Sequence, residues 1–289
     1  MKIAVASGKG GTGKTFISTN LFNVLQKRNF PVSLVDCDAE EPNVREFLNG
    51  GTLIQVNNVL QKTPVIDELK CTFCGKCEEY CNYNAIFILS EKKMINVLED
   101  LCHGCGACSI ACKYGAISEK DKTLGWINKY TLNQNSELIE ARMKVGVYSP
   151  VSVIKDAIKE CANSKLAIFD SPPGTACPFI QTVEKADYVV LVTESTPFGL
   201  SDLKQSIDTL RIMKKRYGVI INRAGLGNND IYDYLEKEKI TLLMTIPFKK
   251  EIAQICSKGD LLTNISPEWD KQFNLLYHII EDSYGNSNN

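Results

Sequence analysis

Near the start of this 289-residue chain, Ser7-Gly8-Lys9-Gly10-Gly11-Thr12-Gly13-Lys14-Thr15 separates the apolar run Ile3-Ala4-Val5-Ala6 from a segment of helical periodicity. Strand, glycine-rich loop and helix, in that order, are what a phosphate-cradling loop requires. Glycines accept the positive-φ turns that aim backbone N–H groups inward and let the chain approach phosphates closely. Gly8, Gly10, Gly11, Thr12 and Gly13 are therefore candidates for the cradle. Lys14 is the candidate for the β- and γ-phosphates, and the Thr15 hydroxyl for Mg²⁺.

Lys9 stands just after the first glycine, where an ordinary cradle needs no charge. Its bland reading is a solvated loop lysine. The form Lys9-Gly10-Gly11-x-Gly13-Lys14-Thr15 resembles the deviant Walker A loop of the MinD/ParA/Mrp superfamily, which includes nitrogenase iron protein. The resemblance implies ATP as nucleotide and a dimer that closes around it, either a homodimer or a heterodimer with a paralogue. Lys9 would then act in trans, as a catalytic residue beside Lys14. Phe16 departs from the pattern, because relatives commonly carry a hydroxyl residue there, near the α-phosphate.

Val32-Ser33-Leu34-Val35-Asp36 reads as a short buried strand ending in an acid. Carboxyl ends of parallel strands line the ligand crevice, so Asp36 and Asp38 are expected to face the nucleotide. Asp36 to Asn43 resembles the family's switch I, which implies that Asp36 supports the magnesium shell and Asp38 orients the attacking water. Leu166-Ala167-Ile168-Phe169-Asp170 resembles a Walker B strand, with Asp170 holding magnesium through water. Ser171-Pro172-Pro173-Gly174-Thr175 resembles switch II, with Gly174 where a γ-phosphate could be sensed. By the same resemblance, Asn222 hydrogen-bonds the adenine, and Pro247 and Phe248 pack on the other side of the base. The plain alternative is acids in solvated loops and an ordinary strand-to-helix turn.

Twelve cysteines against two histidines, in a chain expected to be cytoplasmic, point to metal and not to disulfides. Cys71-x-x-Cys74-x-x-Cys77-x-x-x-Cys81 recurs 31 residues on as Cys102-x-x-Cys105-x-x-Cys108-x-x-x-Cys112. Each run is followed by a small apolar pair, Ala85-Ile86 and Ala116-Ile117, so the repeat extends beyond the ligands. It resembles the bacterial two-cluster ferredoxin, in which three cysteines of one run and the fourth of the other hold each 4Fe-4S cluster. That resemblance implies one cluster on Cys71, Cys74, Cys77 and Cys112, and a second on Cys102, Cys105, Cys108 and Cys81. The family usually places proline after the fourth cysteine, where Asn82 and Lys113 stand here. Zinc is the rival ligand, although zinc modules usually separate two C-x-x-C pairs by longer loops. Cys177 lies seven residues after Asp170, a spacing similar to that of the cluster-bridging cysteine of nitrogenase iron protein, so two such thiols could meet a metal across a dimer. Cys37, Cys161 and Cys256 read as ordinary small apolar residues, and His103 and His278 as loop and helix filler.

The expected fold is α/β: a mostly parallel, doubly wound P-loop NTPase sheet, residues 1–62 and 122–289, with a small α+β ferredoxin domain, residues 63–121, inserted. An insert of that size has little core of its own, so cluster ligation is expected to supply much of its folding energy. A formal net charge of −1 argues against nucleic acid as an obligatory partner. No apolar run approaches the ~18 residues needed to span a bilayer, and the tail after Ile280 is acidic to neutral, unlike a membrane-targeting helix. A cobyrinic acid diamide synthase would need an amidotransferase domain for which no length remains. The expectation is an ATP-hydrolysing iron-sulfur protein of an anaerobic prokaryote, a nucleotide-gated electron carrier with a redox acceptor. The alternative is ATP-dependent assembly or delivery of iron-sulfur or molybdenum clusters.

Overall fold

A computed structural model describes residues 1–48 and 50–285; the end of the acidic-to-neutral tail, residues 286–289, lies outside the described residues. The strands are β1 (Lys2–Ala6), β2 (Val32–Asp36), β3 (Thr52–Ile66), β4 (Ile86–Leu89), β5 (Met94–Val97), β6 (Ile117–Asn133), β7 (Ser136–Met143), β8 (Leu166–Asp170), β9 (Tyr188–Glu194), β10 (Arg216–Ala224) and β11 (Leu242–Pro247). The helices are α1 (Lys14–Lys27), α2 (Lys76–Glu79), α3 (Ala107–Ala111), α4 (Val151–Glu160), α5 (Cys177–Glu184), α6 (Pro197–Ile212), α7 (Asp230–Lys237), α8 (Lys250–Ser257), α9 (Leu262–Ile265) and α10 (Pro267–Gly285).

Among the described residues, nine strands form one sheet in the order β11-β10-β9-β1-β8-β2-β7-β6-β3. From β11 to β7 every pairing is parallel. Continuous apolar runs such as Ile3-Ala4-Val5-Ala6 are fully buried, as strands covered on both faces must be. α1 and α10 lie against the sheet, and Phe16, Phe22, Phe273 and Ile280 join Ile3, Leu34 and Ile168 in the core between them. Phe16, the departure from the expected pattern, meets Phe273 edge to face at 6.3 Å. Its place in the helix points into the core, which is a physical use for an aromatic where a hydroxyl was expected.

β6 turns into β7 through Gln134-Asn135, and the two are neighbours in the sheet. The start of β6, Ser118 to Lys122, is a serine followed by four charges of alternating sign and carries no core signal.

The chain divides into two compact units, residues 1–57, 127–142 and 151–289, and residues 58–126 with 143–150. The second is wider than the expected 63–121, since parts of β3 and β6 and the return segment 143–150 belong to it. Its repeat is visible in the backbone. Leu98 N–H donates to Ala85 O and Asp67 N–H to Ala116 O, both at 2.8 Å, each run thus hydrogen-bonding to the segment that precedes the other. Positive φ recurs at matching places, Phe73 with Gly104, Gly75 with Gly106 and Asn84 with Gly115. Between the runs β4 and β5 pair antiparallel, placing Ile86 and Ile88 in a small core with Cys77. This hairpin was not expected.

Candidate functional site: a phosphate loop and two cysteine cavities

The carboxyl ends of five adjacent strands carry the first site. Asn222 of β10 lies in register with Glu194 of β9, and Asp170 of β8 with Asp36 of β2; the glycine-rich loop leaves β1 among them. α1 opens with Gly13 in the left-handed region at φ 101°, with no side-chain cap and no acid in its first turn. A side chain at Gly13 would strike the Asn222 amide. The uncapped N–H groups and the helix dipole together make this end an anion site.

Lys14 is nearly buried. Burial lowers the pKa of its ammonium, against the pull of Asp170 and Asp38. Burial also pushes the Asp170 carboxyl up to about 6, opposed by the Thr15 hydroxyl and Lys14. Asp38 is raised by burial too, with Lys14 opposing. The site therefore crowds partly dehydrated acids around one dehydrated cation, an arrangement that a divalent cation with bound phosphates relieves. Asp170 Oδ1 and Thr12 Oγ1 are buried and have no hydrogen-bond partner. Thr15 Oγ1 donates to Asp170 Oδ2 at 2.6 Å, so the residues expected to hold Mg²⁺ already touch.

Asp36 is completely buried, and its two oxygens accept from Asp38 N at 3.1 Å and Val44 N at 3.0 Å. It anchors the segment from 38 to 44 instead of opening onto the crevice; burial first, then Asp170, holds its carboxyl well above the usual range. Gly174, at φ 91°, donates its N–H to Ser7 O at 3.1 Å and so joins the segment after β8 to the loop after β1.

Lys9 meets Glu194 of its own chain at 2.5 Å, and Arg223 meets the other Glu194 oxygen at 3.3 Å. Burial raises the Glu194 carboxyl, and the two cations more than reverse that, leaving it below the usual carboxylate range. Glu194 was missed in the sequence, although an acid ending an apolar strand is the signal that singled out Asp36 and Asp170.

A cavity of about 820 Å³ brings together Gly13, Phe16, Asn222, Arg223, Pro247 and Phe248 with Ile252 and Cys256 of α8. Asn222 donates from Nδ2 to Thr12 O at 2.8 Å and accepts from Arg223 N at 2.9 Å, so its amide holds the phosphate loop in this state. Cys256 lines this cavity and packs against the apolar core.

In the second unit, Cys71, Cys74, Cys77 and Cys112 line one cavity of about 340 Å³, walled by Ile66, Ile88, Ile95, Ala116 and Ile117. Cys81, Cys102, Cys105 and Cys108 line another of about 380 Å³, with Tyr83, Ala85, Ile86 and His103. His103 stacks on Tyr83 at 3.8 Å. Phe73 N–H donates to Cys71 Sγ and Gly104 N–H to Cys102 Sγ, both at 3.4 Å, and Ala85 N–H to Cys81 Sγ at 3.3 Å. Burial pushes the Cys77 thiol up to about 11 and raises Cys102 and Cys108 as well. Among the described residues, no three Cys, His, Asp or Glu converge on a single-ion site; four cysteines line each cavity. Cys177 is exposed at the first turn of α5, while Cys37 and Cys161 are buried.

The family model described as the CobQ/CobB/MinD/ParA nucleotide binding domain matches residues 3–262. Uncharacterized protein MJ0579 of Methanocaldococcus jannaschii is 32% identical over 90% of this chain and 90% of its own. An iron-sulfur cluster carrier protein of Rickettsia conorii is 24% identical over 91% of this chain and 66% of its own. The cell division ATPase MinD of Pyrococcus furiosus superposes with a TM-score of 0.58 at 20% identity, covering 97% of this chain and 98% of its own. At that identity the superposition speaks for the fold alone, a P-loop α/β sheet.

Proposed function

Because the chain belongs to the CobQ/CobB/MinD/ParA nucleotide-binding family, we propose that it is an ATP-driven switch that carries two 4Fe-4S clusters and gates electron transfer from them. The single observation that carries the cluster half is the sorting of the eight cysteines: each cavity takes three from one run and the fourth from the other. The donors fit the group, being four thiols each, with backbone N–H groups aimed at sulfur and apolar walls. A cluster in each cavity would supply one-electron redox chemistry, with a potential set by those N–H bonds and walls. The inserted ferredoxin domain, expected over residues 63–121, is the part assigned to this role.

In the ATPase half, Lys14 and the α1 N-terminus receive the phosphates and Thr15 and Asp170 the magnesium, while Asp38 orients the attacking water. Lys9 leaves Glu194 and crosses to the partner's nucleotide when two chains close. Gly174 N–H exchanges Ser7 O for the γ-phosphate, and the exchange moves the segment after β8. The insert interrupts the chain between the 36–43 segment and β8, so motion of either can reach it along the chain. If anaerobically reduced protein passes electrons to acceptors equally fast with and without ATP, gating is wrong.

Delivery of clusters to other proteins is the second reading, favoured by the carrier name of the Rickettsia conorii relative. Transfer of labelled iron to an apo-acceptor supports it, and clusters that never exchange count against it.

A further inference from the structure

The carboxylate that ends β9 holds two cations at once. Lys9 Nζ lies 2.5 Å from Glu194 Oε1 and Arg223 Nη1 lies 3.3 Å from Glu194 Oε2, so each oxygen is taken by a different side chain. Glu194 is the most enclosed of the three, its side chain 14% exposed against 31% for Lys9 and 46% for Arg223. Burial raises its pKa, and Lys9 and then Arg223 more than reverse that, so it stays ionised. An enclosed charge is costly to leave without a partner.

The backbone presents Arg223 to this carboxylate. Asn222, the residue before it, lies in register with Glu194 at the carboxyl ends of β10 and β9. Arg223 N–H is tied to Asn222 Oδ1 at 2.9 Å, and its φ of 51° lies in the left-handed region, where a residue with a side chain is held by its surroundings. Two effects follow. When Lys9 departs, Glu194 keeps a counter-ion; and while Lys9 remains, repulsion between the two cations loosens its hold.

We propose that Arg223 is a positioning residue that sets how readily Lys9 leaves its own chain for dimer closure. Glu194 is the latch, and Arg223 takes over its charge when Lys9 crosses. The proposal rests on the reading that Lys9 acts across a nucleotide-bound dimer.

The test uses the full chain, purified anaerobically, with a saturating non-hydrolysable ATP analogue, so that changes in nucleotide affinity drop out. The dimer dissociation constant is read by light scattering over a range of protein concentrations. Arg223→Gln should weaken the closed dimer about fivefold, the scale of a partly exposed charge pair. Arg223→Lys keeps the cation and should close as wild type does. Glu194→Gln removes the latch, so its dimer should be at least as tight as wild type, and adding Arg223→Gln to it should change nothing further. Closure of Arg223→Gln at the wild-type constant, while Lys9→Ala fails to close, overturns this proposal alone. A loss that Arg223→Lys does not rescue, or that persists in the Glu194→Gln background, marks a structural role and overturns it as well. A wild-type chain that stays monomeric, or Lys9→Ala that closes normally, overturns the underlying reading and the proposal with it.

Discussion

Lys9 is held by Glu194, but only loosely. The pair is partly exposed, and such pairs contribute about 1 kcal/mol or less, so nucleotide and a second subunit can displace it. Lys9→Ala should therefore keep ATP binding and lose ATP-driven dimer closure, read by light scattering with and without ATP; retained closure sinks the in-trans role. Asp170 sets a pH dependence. Its carboxyl titrates near 6 in the folded chain against 3.8 for an ordinary aspartate. Protonation thus favours the nucleotide-free fold: this contribution is full below the ordinary value and is lost as pH rises through about 6. Mg²⁺ needs the ionised form, so the rise in melting temperature given by Mg²⁺-ADP should be larger at about pH 7.5 than at about pH 5.5; an equal rise at both would contradict it. Lys14, Thr15 and Asp170 were legible in sequence because short motifs carry their chemistry locally. Glu194 carries the same local signal, an acid ending an apolar strand, but its role shows only beside Lys9, 185 residues away in the chain.

At the level of elements, the two cysteine runs exchange their fourth members. Cys112→Ser should therefore damage the site built on Cys71, Cys74 and Cys77 and leave the other with its full set. Iron content should fall by about half, and the remaining electron paramagnetic resonance signal should match that of the site on Cys102. Loss of the second run's own site on this substitution would refute the exchange. The repeat was readable because cysteine spacing survives without any knowledge of the fold. The β4–β5 hairpin was not, since four-residue strands give too little alternation to stand out. The charged start of β6 hid for a related reason, with strand pairing there independent of burial. α10 carries Trp269, Phe273, Leu276 and Ile280 at helical spacing, a pattern the sequence shows directly. Phe273→Ala, which removes a fully buried ring from between α1 and α10, should cost about 3–5 kcal/mol in urea unfolding; a cost below about 1 kcal/mol would contradict the packing described.

As a whole molecule, the chain joins a unit with a large apolar core to one whose core is a handful of side chains around Cys77. Without metal the smaller unit has little to hold it. Chelation should expose residues 63–121 to proteolysis while nucleotide binding by the rest survives; coincident loss of both would contradict two separable modules. The central claim, an ATP switch carrying two clusters, is tested most directly by anaerobic purification followed by iron and sulfide analysis and electron paramagnetic resonance of the reduced protein with and without ATP. The account predicts about eight irons per chain, with a spectrum or potential that shifts when ATP binds. Stoichiometric zinc in place of iron, or spectra indifferent to ATP, would contradict it.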